Sequence, residues 1–192
     1  MKKRFFGLAL ALVLCLGLFP AQVLAAEDEE ADNPSDQPAA SVFAGGAGTE
    51  DNPYLISSLS ELEALRDSVI GGETYEGKNI ELTADIDMSE KYGEGKASWD
   101  PIGTEQKKFM AVFDGGGHTI TGIYINSDKS YMGLFGWVEK GGIKNLTMKD
   151  GTVITTDGLA GAVVGIINGW IVNCHNKSVN VTSRMFAGGI AG

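Results

Sequence analysis

From residue 78 onward, apolar residues come in short runs broken by glycine, asparagine and aspartate. Lys78 to Met88 alternates Ile80, Leu82, Ala84, Ile86 and Met88, the two-residue period of a half-buried strand with a turn. Phe109–Phe113 and Thr119–Ile125 read as two further strands around a tight turn at Asp114-Gly115-Gly116-Gly117. From Tyr131 the pattern recurs. Gly133-Leu134-Phe135-Gly136 precedes Ile143-Lys144-Asn145-Leu146, and Gly161-Ala162-Val163-Val164-Gly165 precedes Ile171-Val172-Asn173-Cys174. Phe186 to Gly192, with Gly188, Gly189 and Gly192, opens a third round. Ile143 and Ile171 are 28 apart, as are Asn145 and Asn173, while Gly165 and Gly192 are 27 apart. A fixed period of this size marks a solenoid. Ile120, Ile123 and Ile125 resemble Ile143, Leu146 and Met148 at an offset of 23, so coiling is expected to begin before the clear repeats.

One stretch has helical spacing. Leu59, Leu62, Leu65 and Val69 fall on one face, Ser60 with Glu63 predicts a capping box, and Gly71-Gly72 predicts the end. Pro53-Tyr54-Leu55-Ile56 before it reads as a short strand behind a Gly-rich entry loop. Repeat arrays need a terminal cap with one polar face, and this helix can supply it.

The residue types choose among solenoids. Helical repeats need two 3.6-period stretches per unit, and leucine-rich repeats need leucine at most framework sites. Here the frame is Gly, Ile, Val and Asn. The expected fold is therefore all-β: a parallel β-helix with one N-terminal capping α-helix near residues 60–70. Asn145 and Asn173 are expected to stack at equivalent corners, because asparagine tolerates left-handed backbone and stacked amides hydrogen-bond.

Gly133-Leu134-Phe135-Gly136 matches the short repeat known as the GLUG motif. The segment Phe113 to Ile125 resembles the strand pair that precedes such repeats. Thr83-Ala84-Asp85-Ile86-Asp87-Met88 and Trp99-Asp100-Pro101-Ile102-Gly103 resemble its upstream blocks. The resemblance covers roughly residues 43 to 192, with Ala162 standing where glycine is usual. It implies a right-handed β-helix on a secreted bacterial surface protein, of the kind found in adhesin-like proteins and beside some secreted peptidases.

The N-terminus changes the picture of location. Lys2, Lys3 and Arg4 precede an uncharged apolar run from Phe5 to Phe19; Pro20 ends it, and Val23-Leu24-Ala25 offers small residues for cleavage. This is the pattern of a signal peptide over residues 1–25, too short for a membrane span. Cleavage would leave 12 basic against 25 acidic residues, a balance of −13, with no transmembrane span. Residues 26–42 are acidic and proline-containing with few large apolar groups, the composition of a disordered spacer. Residues 43–77 are then the cap region and 78–192 the β-helix. Phe186 to Gly192 starts a repeat without completing it, which implies the front part of a longer protein or a truncated product.

Candidate chemistry is sparse. The whole chain carries a net charge of −10 without a basic stripe, which argues against nucleic acid. Glycine accounts for 27 residues without a Gly-X-Y period. Cys15 falls in the signal peptide, and Cys174 sits in the slot of Leu146 as a small apolar residue. His118 and His175 lack any metal-ligand spacing and read as turn or surface residues; no metal or cofactor is expected. Asn145, Asn176 and Asn180 head formal glycosylation sequons, better read as corner and strand residues. The carboxylates Asp85, Asp87, Asp100 and Asp114 are the strongest catalytic candidates. Asp85 and Asp87 share one side of a predicted strand, and grouped aspartates act in polysaccharide-cleaving β-helices. The mature chain offers only Arg66 and Arg184 as guanidinium partners. Turn hydrogen bonding is the competing role for these aspartates.

The expectation is thus a secreted or cell-surface β-helix module, non-enzymatic and adhesive, meeting a host or cell-surface protein or a glycan. A carbohydrate-active β-helix enzyme and an accessory segment of a surface peptidase are the alternatives.

Overall fold

The computed structural model describes residues 42–192. The signal peptide, Cys15 and the acidic spacer up to residue 41 lie outside the described residues.

Eleven strands and one helix follow in chain order. They are β1 (Tyr54–Ile56), α1 (Leu59–Gly71), β2 (Asn79–Leu82), β3 (Ile86–Asp87), β4 (Val112–Asp114) and β5 (Thr119–Ser127), then β6 (Phe135–Lys144), β7 (Thr147–Thr155), β8 (Leu159–Gly161), β9 (Val164–Val172), β10 (His175–Ser183) and β11 (Phe186–Gly188). Each coil adds one strand to the edge of the last. One sheet runs β1-β2-β4-β6-β9, a second runs β3-β5-β7-β10, and a third pairs β8 with β11. Every strand-to-strand pairing is parallel. The stacked-coil solenoid expected from the repeats is the fold.

Period-two alternation on the first sheet turns Ile80, Phe113 and Ile143 into one column, each essentially buried. On the second sheet Ile120 sits over Met148 and Ile125 over Val153. Phe135, in the Gly-Leu-Phe-Gly segment, packs between Phe109 and Phe113 at ring separations of 5.0 and 5.2 Å. Leu134 beside it is fully buried, and its carbonyl accepts from Trp99 Nε1 at 3.1 Å.

Four local expectations are corrected. The offset of 23 is replaced by a register of 28, with Ile120 opposite Met148, because Ile143 belongs to a different sheet. The turn expected within Lys78–Met88 is the corner between β2 and β3, so Asp85 precedes β3 and does not share a strand face with Asp87. Phe109–Phe113 shortens to β4, with Phe109 making an isolated bridge to Val138. The helix cap shifts two residues. Ser58 is the N-cap, accepting from Glu61 N–H, while Glu61 accepts from Ser57 N–H at 2.7 Å. Glu63 is instead drawn into tertiary contacts with Lys91 Nζ and Tyr92 Oη. Gly72 ends the helix at φ 117°, as the Gly-Gly pair predicts. Leu62, Leu65 and Val69 join the continuous core, and Arg66 lies over the Trp99 ring at 4.7 Å.

Candidate functional site

Two corners recur in every full coil, and they fix what lies on the outer faces. The first joins the first sheet to the second. At β6–β7 it is Asn145-Leu146, and at β9–β10 it is Asn173-Cys174. Both asparagines are left-handed, with φ of 53° and 51°. Their amides form a ladder along the solenoid. Asn173 Nδ2 donates to Asn145 Oδ1 at 2.9 Å, and Asn145 Nδ2 donates to Asp114 Oδ1 at 3.0 Å. At the far end His175 Nε2 lies 3.1 Å from Asn173 Oδ1. One carboxamide thus bridges two coils, which only identical spacing permits.

The second corner, after the second sheet, carries a ladder that the glycine-and-asparagine reading passed over. Ser127, Thr155 and Ser183 lie in one register column. Each hydroxyl accepts from the amide two residues on, in Lys129, Asp157 and Met185, at 3.1, 3.0 and 3.2 Å. Thr155 is buried and also donates to Lys129 O. The signal was present as hydroxyl residues 28 apart, but serine and threonine are too common to stand out without the register.

The repeat glycines do not serve as left-handed corners. None of Gly133, Gly136, Gly161, Gly165, Gly188, Gly189 or Gly192 has positive φ. Most are close-approach sites instead. A Cβ on Gly133 would sit 2.7 Å from Gly161 O of the next coil, and one on Gly165 would meet the backbone of Tyr131. Gly189 is the exception, where a Cβ would make only an ordinary contact with Asn176 Nδ2 at 3.8 Å. A methyl group at the crowded positions would wedge successive coils apart.

The four aspartates are not gathered into one site. Asp85 Oδ1 accepts from Thr119 N–H at 2.8 Å and lies 3.2 Å from His118 Nδ1. The Thr119 amide, then His118, holds the Asp85 carboxyl below its usual range. Asp87 accepts from Ser89 N–H in its own loop, and Ser89 lowers it likewise. Asp114 accepts from Gly116 N–H and from Asn145, and pairs with Lys144 Nζ at 3.1 Å. Partial burial pushes its carboxyl up, but these three partners together outweigh that and hold it low. Asp100 sits apart, 3.6 Å from Lys129 Nζ. Among the described residues, no group of three or more His, Cys, Asp or Glu side chains is placed to hold a metal ion. Cys174 takes the slot of Leu146 but is only partly buried; burial pushes its thiol up. His118 lies in a corner, as expected, and His175 opens β10 just after the end of β9.

The outer face of the first sheet holds a more promising arrangement. Asn79, Val112, Gly142 and Trp170 form one outward column, and Glu81, Asp114, Lys144 and Val172 the next. Trp170 is 42% exposed. Its indole lies across Gly142: a Cβ there would run into ring atoms Cδ2, Cε2 and Cζ2. Glu50 and Pro53 of the entry loop wall the far side, leaving a groove of about 270 Å³. Trp170 was not singled out from sequence, since a tryptophan in a strand usually marks core.

A second outer cluster lies on the same sheet. Trp137 Nε1 donates to Glu139 Oε2 at 3.1 Å, Asn168 Nδ2 donates to Glu139 Oε1 at 2.7 Å, and Lys108 Nζ lies 4.9 Å from the Trp137 ring centre. Its polar groups are used on each other.

No protein-family model matches the chain. Two curated proteins are similar in sequence. "Putative Gly-rich membrane protein" of Evansella cellulosilytica is 41% identical over 67% of this chain and 14% of its own length. Halomucin of Haloquadratum walsbyi is 33% identical over 77% of this chain and 2% of its own length. The chain thus spans a small fraction of both relatives. Among solved structures, a "putative immunoglobulin A1 protease" from Bacteroides ovatus aligns over 74% of this chain and 45% of that chain, at 23% identity and a TM-score of 0.49. No helix of the described residues is long and apolar enough to cross a membrane, which says nothing of β-barrels.

Proposed function

We propose that the described coils form a surface-exposed binding module, adhesive in role and without catalysis of its own. The observation that carries this reading is how the aspartates are used. Asp85, Asp87 and Asp114 direct oxygens to backbone N–H groups of Thr119, Ser89 and Gly116. Those bonds favour the ionised form and suit turn-holding, whereas a general acid needs a raised pKa and a free path to substrate. The names of the relatives, a Gly-rich membrane protein and a halomucin, fit a cell-envelope setting. Export by the signal peptide at 1–25 and a GLUG-type identity for the repeats belong to the same proposal. The close-approach glycines Gly133, Gly136, Gly161 and Gly165 give that repeat a physical reason.

The test is binding without turnover. The purified full chain, fluorescently labelled, should bind saturably to intact bacterial or host cells, and incubation with neutral and acidic polysaccharides should release no new reducing ends. Release of sugar ends that disappears in Asp85→Asn or Asp114→Asn would restore the enzyme alternative.

A further inference from the structure

The geometry points to the groove over Gly142 as a binding subsite for a neutral glycan chain, with Trp170 as its platform. The inference rests on the binding-module reading and assigns that module a ligand class.

The sheet places the platform. Trp170 and Ile171 alternate across β9, so Ile171 takes the inner column with Ile143 and Trp170 the outer one with Gly142. Gly142 has no side chain to lift the indole, which therefore lies against the previous coil. Trp170 points outward beside Gly142 and is 42% exposed. Its solvent face offers flat apolar area already fixed in place, so little conformational entropy is lost on binding.

The rim determines what fits. Beside the indole stand Asn79, Glu81, Asp114 and Lys144. Sugar rings present a C–H face bordered by hydroxyls. An apolar plate next to fixed acceptors and donors is the matching surface. The groove volume of about 270 Å³ is small for a ligand pocket, and it suits one unit of a chain whose neighbours run along the open sheet. Charge then selects among glycans. Glu50, Glu81 and Asp114 face a single cation, Lys144, which is already paired to Asp114 at 3.1 Å. A uronate or sulfated chain would meet net negative charge, so the neutral chain is favoured. The groove lies on the sheet face and not at a strand edge, so an extended peptide finds no unpaired backbone there.

The experiment uses the purified full chain and defined oligosaccharides: cellohexaose, mannohexaose and xylohexaose as neutral probes, and oligogalacturonate as the anionic one. Titration calorimetry should detect at least one neutral probe and no oligogalacturonate, with an affinity that changes little with salt. Trp170→Ala should weaken that binding at least about tenfold while leaving the thermal transition in place. Trp170→Phe, which keeps a smaller plate, should lose only about threefold and serves if the alanine variant unfolds. Unchanged binding in either variant, binding of oligogalacturonate alone, or no binding of any probe would overturn the assignment. Cell binding separates the two levels. If the wild-type chain binds cells but no oligosaccharide, this subsite fails and the module stands; if it binds neither, the module reading fails as well.

Discussion

Ile143 and Ile171 occupy the same slot of successive coils, as do Leu146 and Cys174. Ile143 and Leu146 are completely buried, whereas Ile171 and Cys174 are only partly covered. The difference is not in the residues' own strands, which pair in the same register. It lies in what stacks on the other side. The β6–β7 coil has neighbours on both faces of its stack, while β9, β10 and β11 are the outer strands of their sheets among the described residues. At the opposite end, Leu62, Leu65 and Val69 of α1 close over the core. In a solenoid, burial is given by the neighbouring coil, so identical sequence positions differ in energetic weight.

Side-chain truncation would break this comparison most directly. Ile143→Ala should destabilise by about 3 kcal/mol, the usual range for a buried isoleucine, and Ile171→Ala by about 1 kcal/mol, both read from urea unfolding. Equal losses would mean that the last coil is as well packed as the middle one. The corner ladder gives the next largest effect. Asn145 bonds to Asp114 on one side and Asn173 on the other, whereas Asn173 has only Asn145 and His175. Asn145→Ala should cost about 2 kcal/mol, from lost hydrogen bonds and the left-handed backbone, against about 1 kcal/mol for Asn173→Ala. A double-mutant cycle should show coupling between the two, and none would dissolve the ladder as an energetic unit.

The cap end can be sharpened with a smaller change. Ser58→Ala should cost about 1 kcal/mol in the same unfolding experiment, while Ser60→Ala stays within about 0.5 kcal/mol. The reverse order would reinstate Ser60 as the cap. Smallest is the acid response. Asp85 and Asp114 both have folded-state pKa values held below the unfolded one. Each therefore adds stability that is fully present above the unfolded carboxylate value, near pH 4, and is lost as pH falls through the lower folded value. Melting temperature followed from pH 6 to 2 should fall across that window. Asp114→Asn should flatten part of the fall, and an unchanged acid limb would show that the corner carboxylate carries no linkage.

The order of the chain told much about the fold. A spacing of 28 between Asn145 and Asn173 was enough to place one over the other, and a 2.9 Å amide bond joins them. Repetition makes this legible, since each coil states the rule again. The alternation around Ile80, Ile120 and Ile143 likewise named core residues, because two-residue periodicity survives whichever sheet the strand joins.

What only the tertiary structure decided were the relations between segments far apart in sequence. Ser60 and Ser58 are equivalent by local pattern; Lys91 and Tyr92, reaching across to Glu63, set which glutamate closes the helix start. Asp85 and Asp87 look paired until the chain bends between sheets. Alternation with Ile171 points Trp170 outward, but only the previous coil shows that its ring comes to lie across Gly142. Local periodicity fixes which way a side chain points from its own strand, and only the adjacent coil determines what it meets there.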